Sequence, residues 1–267
     1  MTQRINQIFA NLTAKGQTAF IAYIMGGDPD RAVSQKILNA LPEAGVDIIE
    51  LGMPFTDPAA DGPTIEEAGL RSLAAGTTLT SVLDMAAEFR KTNDTIPLII
   101  MGYCNPVHHM GYQAFSKSAK EAGIDGAIIV DLPPEEDTEL RLAFEKYDLA
   151  LIRLATPTTD ETRLPRVVNG TKGFVYYVSM TGITGAKLNA AGSGVGSIKD
   201  QVKKLRTASG LPVVVGFGVK TPDHARNIAQ KADGVVVGSA IVKTLHEDGP
   251  RAALTLTASL SKAVHEA

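Results

Sequence analysis

Two carboxylates bracket one short loop: Glu50 closes an apolar run, and Asp61 follows within ELGMPFTDPAADG, stiffened between them by Pro54 and Pro58. Glu50 lies among Ile48, Ile49 and Leu51, so it should be partly desolvated. Desolvation raises a carboxyl pKa, and a raised pKa suits a group that gives and takes a proton near neutrality. Asp61, on a polar loop beside Gly62, is expected to stay ionised and to stabilise developing positive charge. The plainer account of Glu50 is a structural ion pair with an arginine such as Arg153. For Asp61 it is an ordinary Asp-Gly turn.

Other chemistries find less support. A Schiff-base enzyme wants a lysine inside its core, yet no apolar run contains one; Lys172 and Lys220 flank runs and Lys187 lies in a loop. His108-His109 is the only histidine pair, and adjacent residues point apart on a helix or strand, so no metal site is expected. No G-x-S-x-G elbow signals a serine nucleophile. Cys104 is the only cysteine, which excludes an internal disulfide framework and a zinc cluster.

The elements that must hold these residues are eight apolar runs: 19–25, 48–53, 97–103, 126–132, 149–155, 173–179, 212–218 and 234–240. None alternates polar and apolar residues, which predicts parallel strands buried on both faces. Helical stretches lie between them, several ending in Ala-Gly or Ser-Gly as helix C-caps do. The pattern predicts an α/β (βα)8 TIM barrel, one domain over residues 1–267, with an extra N-terminal helix carrying Ile5, Ile8, Phe9 and Leu12 on one face. No dinucleotide fingerprint favours the doubly wound alternative.

The connections after the second run (54–96) and the sixth (180–211) are longer than the rest. Both begin on the face where barrel enzymes work, and the second of them, rich in small residues, suits a mobile lid. Glycines also end the last three strands, in TGITG (181–185), GFG (216–218) and GSA (238–240). They predict a compact, uncharged phosphate cradle, helped by a short helix opening at Ser239; tight βα turns alone are the plainer account. Tyr23, Tyr103 and Tyr176 are placed to wall an aromatic substrate, although core packing explains any one of them. A net charge of −3 gives no nucleic-acid footprint, and no run approaches a membrane span. MTQRINQIFANL holds no secretory apolar region, so a soluble, cytoplasmic protein is expected.

These residues resemble a known family. IELGMPFTDPAADGPTI, DLPPEE (131–136), FVYYVSMTGITGAK (174–187), PVVVGFGVKTP and ADGVVVGSAIVK match the tryptophan synthase alpha subunits in order and spacing, from about Phe20 to about Lys243. Thr56 and Ala59 depart from the family's usual Ser and bulkier aliphatic, which puts loop coupling in question. The resemblance implies retro-aldol cleavage of indole-3-glycerol phosphate to indole and glyceraldehyde 3-phosphate, with Glu50 as acid–base and Asp61 on the indole N–H. It implies that Thr184 orients Asp61, that Tyr176 lines the pocket, and that Gly185, Gly218, Gly238 and Ser239 hold the phosphate. It further implies a beta-subunit partner in an alpha2-beta2 complex. Pyridoxal phosphate would belong to that partner and no cofactor to this chain. Asp57, Pro58, Pro133 and the lid would communicate with the partner, and His108-His109 would lie at the interface. Two other readings stay open: a free-standing indole-releasing lyase, and a non-catalytic activator of the beta subunit.

Overall fold

The computed structural model describes residues 2–179, 197–216 and 218–267. Nine short strands appear: β1 (Ala19–Met25), β2 (Ile48–Gly52), β3 (Leu98–Gly102), β4 (Gly126–Ile129), β5 (Ala150–Leu151), β6 (Leu154–Ala155), β7 (Val175–Val178), β8 (Val213–Gly216) and β9 (Gly234–Val237). All neighbours run parallel, in the order β5-β4-β3-β2-β1-β9-β8-β7-β6.

Seven of the apolar runs each form one strand, but the fifth is split in two at Ile152-Arg153. The two pieces face different partners, β5 bonding to β4 and β6 to β7. The backbone between them still bonds both ways: Ile152 N–H donates to Ala127 C=O at 3.0 Å, and Tyr176 N–H donates to Arg153 C=O at 3.1 Å. One broken strand therefore closes the barrel.

Helix α1 (Thr2–Ala14) precedes the barrel, α2 (Arg31–Ala40) follows β1, and α3 (Pro63–Ala74) and α4 (Leu79–Arg90) follow β2. After β3 come α5 (Cys104–Met110) and α6 (Tyr112–Glu121), and after β4 comes α7 (Thr138–Tyr147). Next are α8 (Leu164–Val168), α9 (Ile198–Ser209), α10 (Pro222–Ala229) and α11 (Ser239–His265). The long connection after β2 thus holds two helices. That after β7, the sixth apolar run, includes 180–196, outside the described residues. The Ala-Gly and Ser-Gly pairs do end helices: Gly123 has φ +79°, and a Cβ there would lie 2.6 Å from Arg90 Cγ.

Because side chains alternate along each strand, the sheet makes two cores. Outward residues such as Phe20, Ile49, Leu51 and Ile100 pack against the helices. Inward residues, including Ile21, Ile48, Ile99, Ile128, Val214 and Val236, fill the barrel. Ile5, Phe9 and Leu12 recur at the spacing of one helix face and join that inner cluster, with the Phe9 and Phe174 rings 5.9 Å apart. Burying each is worth about 1.5–3 kcal/mol, so α1 is a firm plug in the barrel floor. The opposite mouth, at the strand C-termini, holds the candidate site.

Candidate active site

Alternation on β2 sends Glu50 inward, next to Tyr23 on β1 and Ile99 on β3. It is 1% exposed, and its Oε1 has no hydrogen-bond partner among the described residues. Burial pushes the Glu50 carboxyl up to about 8. The alternative pairing with Arg153 is not made. Arg153 points out of the barrel, where its Nε donates to Asp137 Oδ2 at 2.7 Å. Its Nη1 donates to the carbonyls of Arg166 and Val167 at 3.2 Å each, near the end of α8. A buried carboxyl without a partner is costly, and its fold neighbours do not repay it.

Asp61 reaches the same mouth from the loop after β2. That loop is pinned at several points: Met53 N–H donates to Met101 C=O at 2.8 Å, and Asp61 N–H to Pro58 C=O at 3.0 Å. Ala60 N–H donates to the Tyr103 hydroxyl at 3.1 Å. Phe55 stacks on the Tyr103 ring at 5.5 Å. Gly62 then caps α3, with Pro63 in its first turn. Burial pushes Asp61 up to about 6, while a hydrogen bond from Tyr103 opposes the rise and Glu66 adds to it. Its titration therefore lies nearer neutrality than a polar loop predicts. At pH 7 the two groups stand in opposite states, Glu50 protonated and Asp61 mostly ionised, the division of labour that an acid paired with a charge stabiliser needs.

A cavity of about 530 Å³ brings the predicted residues together: Tyr23, Glu50, Asp61, Tyr176, Gly218, Gly238 and Ser239 all line it. Both tyrosines owe their places to glycines. A Cβ on Gly52 would lie 2.2 Å from the Tyr23 hydroxyl, and one on Gly216 would lie 2.0 Å from the Tyr176 hydroxyl. Gly216 is thus a notch for a ring rather than part of an anion cradle. Burial holds both phenols well above their usual range, so they stay neutral. Tyr103 is not in the cavity wall and acts from behind, on the Asp61 loop.

Ser239 opens a helix, as expected; it runs to a break at Gly249, where φ is +83° just before Pro250, and a second helical stretch within α11 continues to His265. Thr184 and Gly185 lie outside the described residues. Asp57 is exposed on the loop and accepts from Thr56 Oγ1 at 2.5 Å; Pro58 is half-buried beside it. Pro133 lines an adjoining chamber of about 690 Å³ that shares Asp61, Met101 and Tyr176 with the first. His108 and His109 are exposed on α5, His108 edge-on to Tyr112 at 5.5 Å. Among the described residues, no three His, Cys, Asp or Glu side chains gather as metal ligands would.

Residues 9–266 match the family model described as tryptophan synthase alpha chain. The chain belongs to the tryptophan synthase alpha chain family. Solved structures agree over nearly its whole length. The chain is 36% identical to a structure of Mycobacterium tuberculosis tryptophan synthase, with TM-score 0.90 and 98% of each chain covered. It is 37% identical to tryptophan synthase subunit alpha from Legionella pneumophila, with TM-score 0.89 and the same coverage. A protein of Aquifex aeolicus is also 37% identical, at TM-score 0.89, covering 98% of this chain and 99% of its own. Membership of the tryptophan synthase alpha chain family makes this a barrel enzyme of tryptophan synthesis with lyase-type chemistry, and it implies a beta-subunit partner. Lys220, expected only to flank a strand, and Lys243 also line the cavity.

Proposed function

We propose that this chain, as one barrel domain over residues 1–267, cleaves indole-3-glycerol phosphate to indole and glyceraldehyde 3-phosphate. The observation that carries the reading is a buried carboxyl with an unused oxygen facing a half-buried carboxylate across one cavity. Protonated Glu50 delivers its proton to indole C3, which makes the ring an iminium-like electron sink. Asp61 accepts the indole N–H and offsets the new positive charge. Glu50, now a carboxylate, takes the proton of the hydroxyl on the carbon attached to C3. That C–O becomes the aldehyde carbonyl, the C–C bond breaks, and its electron pair returns to the ring. The proton count balances, with Glu50 restored for the next turnover.

Tyr23 and Tyr176 wall the aromatic end, while Gly218, Gly238 and Ser239 hold the phosphate with Gly185, and Thr184 orients Asp61 from the lid. No step calls on a cofactor in this chain, and pyridoxal phosphate belongs to the beta subunit that receives the indole in an alpha2-beta2 complex. Asp57, Pro58 and Pro133, all around the same mouth, face that partner, with His108 and His109 beside them. No helix among the described residues is long and apolar enough to cross a membrane, and the reading is of a cytoplasmic enzyme.

The test is indole release from indole-3-glycerol phosphate by the pure protein, with and without a beta subunit, beside Glu50→Gln. Slow turnover that the partner accelerates and that Glu50→Gln lowers by about 10²–10⁴ is the expected result. Turnover that Glu50→Gln leaves near the wild-type rate would overturn the acid–base assignment.

A further inference from the structure

The cavity that holds Glu50 and Asp61 is also lined by the start of α11 and by two lysines, Lys220 and Lys243. Lys220 lies just beyond Gly218 on the loop after β8, and Lys243 stands one turn into α11 from Ser239. A helix N-terminus already bears partial positive charge, so a lysine there is disfavoured unless an anion sits nearby. The first turn of α11 contains no acidic residue. Lys243 pairs only with Glu247 among the described residues, at 3.8 Å, and both side chains are more than half exposed, so solvent screens that pair. Lys220 has no carboxylate within ion-pair distance among the described residues. In the same cavity, Glu50 Oε1 has no hydrogen-bond partner among the described residues.

This inference rests on the phosphate-ester reading above. Backbone N–H groups and Ser239 bond phosphate oxygens, but they carry no formal charge and separate a dianion from a monoanion poorly. We infer that Lys220 and Lys243 balance the second negative charge of the phosphate, so the site selects a phosphomonoester dianion over singly charged esters. They are specificity-determining residues and take no part in the proton transfers.

The probe is sn-glycerol 3-phosphate, compared by calorimetry at one pH with its methyl phosphodiester, a monoanion. The proteins are the full chain, Lys220→Met, Lys243→Met, Lys243→Arg and the double Met variant. An ammonium at a solvated rim contributes roughly a fivefold to tenfold factor at low salt. Each Met variant should therefore weaken monoester binding by about that factor, and Lys243→Arg should restore it. The preference for monoester over diester should collapse in the double variant. With indole-3-glycerol phosphate, Lys243→Met should raise KM and leave kcat nearly unchanged, the mark of lost uniform binding. Wild-type binding by both Met variants, or an Arg variant as weak as Met, would overturn the inference. Lysine-dependent binding of the probe without any indole release would sink the proposed reaction and leave the inference standing. Indole release with lysine-independent binding would do the reverse.

Discussion

Tyr23 on β1 and Gly52 on β2 interlock: the phenol occupies the space of the side chain that Gly52 lacks, with its hydroxyl 2.2 Å from where a Cβ would stand. The ring beside Glu50 is therefore fixed by an absence on the neighbouring strand.

Gly52→Ala should push that ring into the cavity. Overpacking of this kind costs about 1–3 kcal/mol. Thermal unfolding should register the loss, and kcat/KM should fall with it. Adding Tyr23→Phe, which removes the closest atom, should recover part of the stability. A Gly52→Ala protein with wild-type stability and kcat/KM would show that the notch is not needed.

Glu50 should trade stability for chemistry. Its folded pKa is raised from 4.5 to about 8, so between those values the native state holds a proton that the unfolded chain has released. Stability then falls as pH rises through this window and levels off above it. A shift of that size corresponds to roughly 3–5 kcal/mol. Glu50→Gln should lose this slope, retaining at pH 8.5 most of the stability it has at pH 5.5, while cleavage drops by about 10²–10⁴. Urea unfolding at the two pH values, set beside indole release, measures both halves.

The proposed reaction needs Glu50 protonated and Asp61 ionised. Its kcat/KM should therefore trace a bell, with an acid limb near 6 and an alkaline limb near 8. The Tyr103 hydrogen bond lowers the Asp61 value, so Tyr103→Phe should move the acid limb to higher pH. An acid limb that stays in place would detach Tyr103 from the control of Asp61.

Arg153→Met should damage the fold more than the chemistry. It would leave Asp137 buried beside a missing charge and free the carbonyls that close α8. Breaking a buried pair from one side typically costs about 3–5 kcal/mol. Chemical denaturation should show that loss, and Asp137→Asn in the same chain should return part of it.

Much of this arrangement is readable in the chain. Apolar runs without alternation suggest strands covered on both faces, so the barrel and the desolvation of Glu50 are readable from pattern, whereas the face Glu50 takes is not, since both faces are apolar. Nor is the break at Ile152-Arg153, because LALIRLA reads as one run and its two halves differ only in which neighbour they bond. Helix α5 follows β3 at once, with Pro106 tolerated in its first turn. Tyr103 was legible as an aromatic at a strand end, but its action on the Asp61 loop depends on contacts between separate elements. The notches at Gly52 and Gly216 were hidden for the same reason, since a glycine in a strand does not announce which ring it admits. Lys243 could have been noticed from its place four residues after Ser239 at a strand end.

Helix α1 has a consequence for traffic. With Ile5, Phe9 and Leu12 filling the floor, the described residues leave the mouth at the strand C-termini as the way in. A companion that collected a product there would stand near the threshold where the reactant came in.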